Sequence, residues 1–194
     1  MTGGETVAEL RWLAGRFPDN EWITLRLAEG LANLSEKQDV TGRQQTVTEL
    51  RELAERFPDH AGITLALAEG LLGLSQKQDV TGREQTVAAL RELAGRFPAN
   101  TEITLILAYG LLSLSHTQDI TGREQIVTEL RELARRFPDH SGIALRLAAG
   151  LANFFHKQDV TDRQQTAAEL RELAERFPKY AAIAALAAQA EREL

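Results

Sequence analysis

A 40-residue period constrains this chain more than any other property. "LRELAERFPD" at 50–59 returns as "LRELAGRFPA" at 90–99, "LRELARRFPD" at 130–139 and "LRELAERFPK" at 170–179, after a first copy, "LRWLAGRFPD", at 10–19. Residues 41–80 and 81–120 differ at 14 of their 40 positions, which leaves 26 identical. A period between about 20 and 50 residues marks a stacked repeat, in which no copy buries its apolar face alone. Identity this high implies recent duplication, or design on a consensus.

Each copy reads as two helices. The first starts near Thr41 and runs through "GRQQTVTELRELAERF". Val47, Leu50, Leu53, Ala54 and Phe57 share one stripe, with Glu49, Arg51, Glu52, Glu55 and Arg56 around the rest. Pro58 ends it, because proline disfavours helical geometry in the residue before it. The second helix, within "HAGITLALAEGLLGLSQ", lacks charge over most of its circumference, as an inner layer should. Asn20, His60, Asn100 and His140 read as polar helix starts, and Gly30, Gly70, Gly110 and Gly150 as close-packing positions. Nothing reads as a strand.

The terminal copies depart from the others. Trp12 stands where later copies have Glu52 and Glu92, and the last pair, "YAAIAALAAQAEREL", trades branched residues for alanines before Glu191, Arg192 and Glu193. End repeats have one face without a neighbour, so such departures are expected.

The most constant loop, "QDVTGREQTV" at 78–87, raises the question of a ligand site. A phosphate cradle needs several glycines and usually a terminal lysine. A calcium loop needs oxygen ligands at alternate positions over twelve residues. This loop has one Gly and one Asp. Thr41 with Gln44, Thr81 with Glu84, Thr121 with Glu124 and Thr161 with Gln164 instead fit the capping box S/T-x-x-E/Q. The fourth copy replaces the Gly by Asp162, which suits the first turn of a helix and not a backbone phosphate cradle. The loop is expected to start helices.

Bulk properties exclude several classes. A net charge of −6 and a pI near 5.3 argue against nucleic-acid binding and against docking on anionic membranes. With no cysteine, disulfides, thiolate zinc sites and cysteine nucleophiles are excluded. The start "MTGGETVAEL" has no basic-then-apolar signal pattern, and no apolar run reaches a membrane span of about 20 residues. A cytoplasmic location is expected.

The helices resemble those of tetratricopeptide repeats. "ITLALAEGLLGLS" looks like that family's opening helix, with Leu67 and Ala68 at its Leu-Gly pair and Leu71 at its Tyr. "VAALRELAGRFP" looks like its closing helix, with Leu93-Ala94 near the small residue, and Pro18, Pro58, Pro98, Pro138 and Pro178 at the terminal proline. The period is 40 rather than 34, and Thr64, Thr104 and Ala144 replace the family's early aromatic. HEAT-type repeats have a similar length, although no regular Asp/Arg ladder of their kind is apparent. The expected fold is all-α: an α-solenoid of five antiparallel helix pairs, about ten helices, stacked into a right-handed superhelix. It would form a single repeat domain, 1–194, with units 1–40, 41–80, 81–120, 121–160 and 161–194.

Differences among the copies concentrate on one stripe of the second helix, at positions equivalent to 62, 66, 69, 73 and 76. At about 100° per residue these share an arc of roughly 80°. Resemblance to tetratricopeptide arrays implies that this stripe lines a concave, peptide-binding groove. The candidate residues are Trp22, Arg26, Glu29, Asn33, Glu69, Ile106, Tyr109, Ser113, His116, Arg146, Asn153 and His156, with an apolar patch expected around Ile106 and Tyr109. By contrast, Arg51, Arg91, Arg131 and Arg171 stay constant on the first helix, as do Glu52, Glu92, Glu132 and Glu172.

His116 and His156, one repeat apart, lack a nearby carboxylate and make a weak zinc pair. No nucleophile motif or buried acid pair is present, so no catalytic residue, metal or cofactor is expected. The expectation is a non-enzymatic module binding a protein or peptide. The alternative is a consensus-like or engineered scaffold without a natural ligand. A monomer is expected, with self-association open through the end repeats.

Overall fold

The computed structural model describes residues 6–194, so residues 1–5 of the first expected unit lie outside the described residues. Among these residues the chain forms ten helices and no strand: α1 (Val7–Arg16), α2 (Glu21–Ser35), α3 (Val40–Arg56), α4 (Ala61–Ser75), α5 (Val80–Arg96), α6 (Thr101–Ser115), α7 (Ile120–Arg136), α8 (Ser141–Phe155), α9 (Val160–Arg176) and α10 (Ala181–Arg192). Odd-numbered helices are the first of each pair, even-numbered ones the second.

The chain divides into two compact units, Met1–Leu107 and Ala108–Leu194, with the division inside α6. In the first, α1 packs on α2 and α3 on α4, while α2 also packs directly on α4. In the second, α7 packs on α8 and α9 on α10, and α8 packs on α10. Within each unit the apolar even helices thus form an inner layer, as their lack of charge predicts. This is the stacking of an all-α helical repeat.

Close packing inside a pair depends on glycine. A Cβ added to Gly70 would lie 2.8 Å from Leu50 Cδ1, and one added to Gly150 2.9 Å from Leu130 Cδ1. Leu50 and Leu130 are themselves fully buried. These two helices approach closely because no side chain intervenes.

The recurring loop does start a helix, but the cap is not the threonine. Asp39, Asp79, Asp119 and Asp159 are the N-caps, each accepting through Oδ1 from the N–H three residues on, at 2.8, 2.9, 2.8 and 2.9 Å. Thr41 and its equivalents lie in the first turn, two residues past the cap. A capping box proper occurs where it was not expected, at α1. There Thr6 accepts from the Glu9 N–H at 3.2 Å, and Glu9 Oε2 accepts from the Thr6 N–H at 2.8 Å.

The same threonine has another role in later copies. Thr46, Thr86 and Thr166 lie buried within their helices and donate to the side chains of Gln38, Gln78 and Gln158, at 2.8, 2.8 and 2.9 Å. Arg43 adds a second brace. It donates from Nε to Gln38 O at 3.1 Å, from Nη2 to Glu36 O at 2.9 Å and from Nη1 to Gly73 O at 2.6 Å. Carbonyls left unpaired at the ends of α2 and α4 are satisfied in this way. Arg83, Arg123 and Arg163 keep the Nε bond to the loop. Glutamine, aspartate and arginine of the loop all serve the fold.

Even-numbered helices begin as expected. Asn20 and Asn100 accept through Oδ1 from the Ile23 and Ile103 N–H groups at 3.1 and 3.0 Å. His60 and His140 accept through Nδ1 from Ile63 and Ile143, both at 3.3 Å. Tyr180 makes no such cap for α10.

Candidate functional site

The variable stripe emerges on the surface of the even helices, with two corrections. Ile106 is only 9% exposed and Ala66 only 3%, so the apolar patch expected around Ile106 is absent. Their position is exposed only where the side chain is long enough to reach out, as Arg26 is. The remaining positions are exposed or half-buried.

In the first unit the stripe is acidic. Trp22, 61% exposed, stands at its start, and the Arg26 guanidinium is neutralised by Glu29 at 2.7 Å. Asn33, Glu36, Glu69 and Gln76 line a cleft between α2 and α4, over the braced Arg43. The Glu69 carboxyl is held above the ordinary glutamate range. Partial burial is the main cause, followed by repulsion from Glu102, Glu36 and Glu29. Glu69 therefore senses three other carboxylates of the stripe.

In the second unit the stripe has a different centre. Arg146, the counterpart of Arg26, has Ala149 where Arg26 has Glu29. Its guanidinium carbon lies 3.7 Å from the centre of the Tyr109 ring, within cation–π range, and its Nε is buried without a hydrogen-bond partner. Tyr109 and Arg146 are thus brought together, whereas the sequence placed Arg146 only somewhere along the stripe. A usable signal lay in the missing acid at 149, which leaves the arginine to find an aromatic face. Ser113 and Asn153 are half-buried on the same stripe and His116 is exposed. His156 lies 3.4 Å from Glu193 through Nδ1 and meets the Phe155 ring edge-on. Among the described residues no group of three or more His, Asp or Glu is gathered as a metal site would require.

The constant arginines have a structural role that the sequence reading missed. Arg11 makes a two-pronged bond to Glu49 at 2.8 and 2.7 Å, and Arg131 one to Glu169 at 2.9 and 2.8 Å. Both join consecutive odd helices within a unit; α7 and α9 are separated by an open cleft lined by Arg131, Gln165, Glu172 and Arg176. An Arg–Glu ladder therefore exists, with a 38-residue spacing, although Ala89 leaves Arg51 without its rung. At Arg131, as at Arg11, the arginine makes a contact between repeats. These arginines are not a neutral surface against which the variable stripe can be judged.

Arg171 ends the ladder differently, bonding Glu191 of α10 at 2.7 Å. Glu191 occupies the position of the buried Leu71, Leu111 and Leu151.

Compared with protein-family models, curated proteins and solved structures, the chain matches none of them. No helix is long and apolar enough to cross a membrane among the described residues.

Proposed function

We propose that this chain is a non-enzymatic helical-repeat module of tetratricopeptide-like type, which binds a protein or peptide on the variable stripe of its even helices in the cytoplasm. The observation that carries this reading is the stacking of Arg146 on Tyr109. Arg26 has its own carboxylate partner, whereas Arg146 is held on an aromatic face without one, as a preorganised ligand contact would be.

A second reading is supported by the loop. Its recurring Gln, Asp, Thr and Arg are all engaged in the fold, as in a consensus-like or engineered scaffold whose stability is its purpose. Panning a displayed random-peptide library on the purified protein separates the two. The binding reading predicts enriched peptides whose calorimetric affinity falls with Tyr109→Ala and Arg146→Ala, but not with Glu52→Ala on the opposite helices. No enrichment, or peptides indifferent to both stripe substitutions, would leave the scaffold reading.

A further inference from the structure

Both tryptophans of the chain lie in the first helix pair, Trp12 64% and Trp22 61% exposed. The counterparts of Trp12, Glu92 and Glu172, line the clefts that separate α5 from α3 and α9 from α7. Gly62, the counterpart of Trp22, is so close to the preceding even helix that an added Cβ would lie 2.9 Å from Leu25 Cδ1. Both tryptophans therefore occupy the side that later pairs turn towards their predecessor. Trp12 and Trp22 stand there in place of the glutamate that later copies carry at the first position and of the Gly62 that leaves room for Leu25 at the second. Two large aromatic side chains exposed on one face mark a contact surface.

The charges beside them indicate what covers that surface. Glu9, Trp12, Leu13 and Arg16 lie three, four and seven residues apart and share one side of α1. The acid is at one end, the base at the other, and Trp12 with Leu13 stands midway. Arg16 lies 5.8 Å from the centre of the Trp12 ring and 6.0 Å from that of Phe17. A row ordered in this way is complementary to itself when a second α1 runs antiparallel. Glu9 of each copy then faces Arg16 of the other, as a two-fold contact requires.

We propose that this face of α1 and α2 is the interface of a two-fold dimer, with a second copy of the chain as its occupant. A head-to-tail stack is disfavoured by the other end of the sequence. There α10 carries Glu191 in place of a core leucine, already bonded to Arg171.

Sedimentation equilibrium on the purified chain, with tryptophan emission followed over the same concentrations, tests this. The expected result is a monomer–dimer equilibrium that stops at two copies, with emission moving to shorter wavelength as dimers form. Trp12→Glu, which installs the residue of later copies, and Arg16→Glu should each raise the dimer Kd by at least about tenfold. The double variant Glu9→Arg with Arg16→Glu reverses both ends of the row and should recover most of that loss. Circular dichroism melts of each variant separate dissociation from unfolding, because Glu9 also closes the cap at Thr6. A monomer at every concentration, masses growing past two copies, or a dimer indifferent to both single variants would overturn the proposal. A double variant that is folded but not recovered would overturn the antiparallel pairing.

Discussion

The Arg146 guanidinium carbon lies 3.7 Å from the centre of the Tyr109 ring, while its counterpart Arg26 turns to Glu29. One position in two copies thus meets either a carboxylate or an aromatic ring. The two contacts should respond differently to conditions. A double-mutant cycle between Tyr109→Ala and Arg146→Ala should give a coupling of about 0.5–1 kcal/mol in thermal or urea unfolding. Tyr109→Phe, which keeps the ring, should be nearly neutral. Because the exposed Arg26–Glu29 pair is screened by salt, its coupling should fall further between low and high ionic strength than that of Arg146. Equal salt sensitivity of both cycles would contradict the assignment.

The caps give a prediction that separates two neighbouring residues. Asp79→Ala removes the acceptor of the Gly82 N–H and should cost about 1 kcal/mol. Thr81→Ala, two residues later in the first turn of α5, should stay within about 0.5 kcal/mol. Chemical denaturation of the two variants side by side is sufficient. A larger loss at Thr81 would restore the threonine as the cap.

Two glycines should respond with opposite signs to the same substitution. Gly70→Ala forces a methyl against the fully buried Leu50 and should destabilise by about 1–3 kcal/mol. Gly95, in the last turn of α5, has nothing near its missing Cβ. Gly95→Ala should therefore stabilise, by up to about 1 kcal/mol, through helix propensity alone. Finding the same sign at both sites would contradict the close approach of α3 and α4.

The raised Glu69 carboxyl makes stability depend on pH in a defined direction. A group with a raised pKa holds its proton more tightly when folded than when unfolded. The contribution of Glu69 to stability is then most favourable at acid pH, declines as pH rises from the ordinary glutamate value of about 4.3 to the raised one, and stays lower above it. Glu69→Gln should accordingly raise the melting temperature at neutral pH, and the gain should vanish below about pH 4. A gain that persists in acid would point to something other than the repulsion of Glu102, Glu36 and Glu29.

Helix number and pairing were readable because the sequence repeats its own punctuation. Each odd helix ends at a phenylalanine followed by proline, and each even helix begins at an asparagine or histidine, except the last. The cap was misplaced because Asp39 and Thr41 are both good caps, and Thr41 also happens to precede Gln44 by three. What decides is the backbone, which is still extended at Asp39 and already helical at Val40. Ile106 was misassigned because a helical wheel holds angles but no neighbours. The ladder escaped notice because its partners belong to different copies and are 38 residues apart rather than one full period.

Those rungs have a mechanical consequence. Inner helices touch directly, so their separation is set by the bulk of Leu, Ile and Ala and hardly responds to the solution. Between Arg11 and Glu49, and between Arg131 and Glu169, spacing is instead set by the reach of two extended, charged side chains. Each such joint is stiff on one edge and sprung on the other, with ionic strength as the adjustment. At Ala89 the spring is missing, and the joint between α3 and α5 should flex more easily than that between α1 and α3.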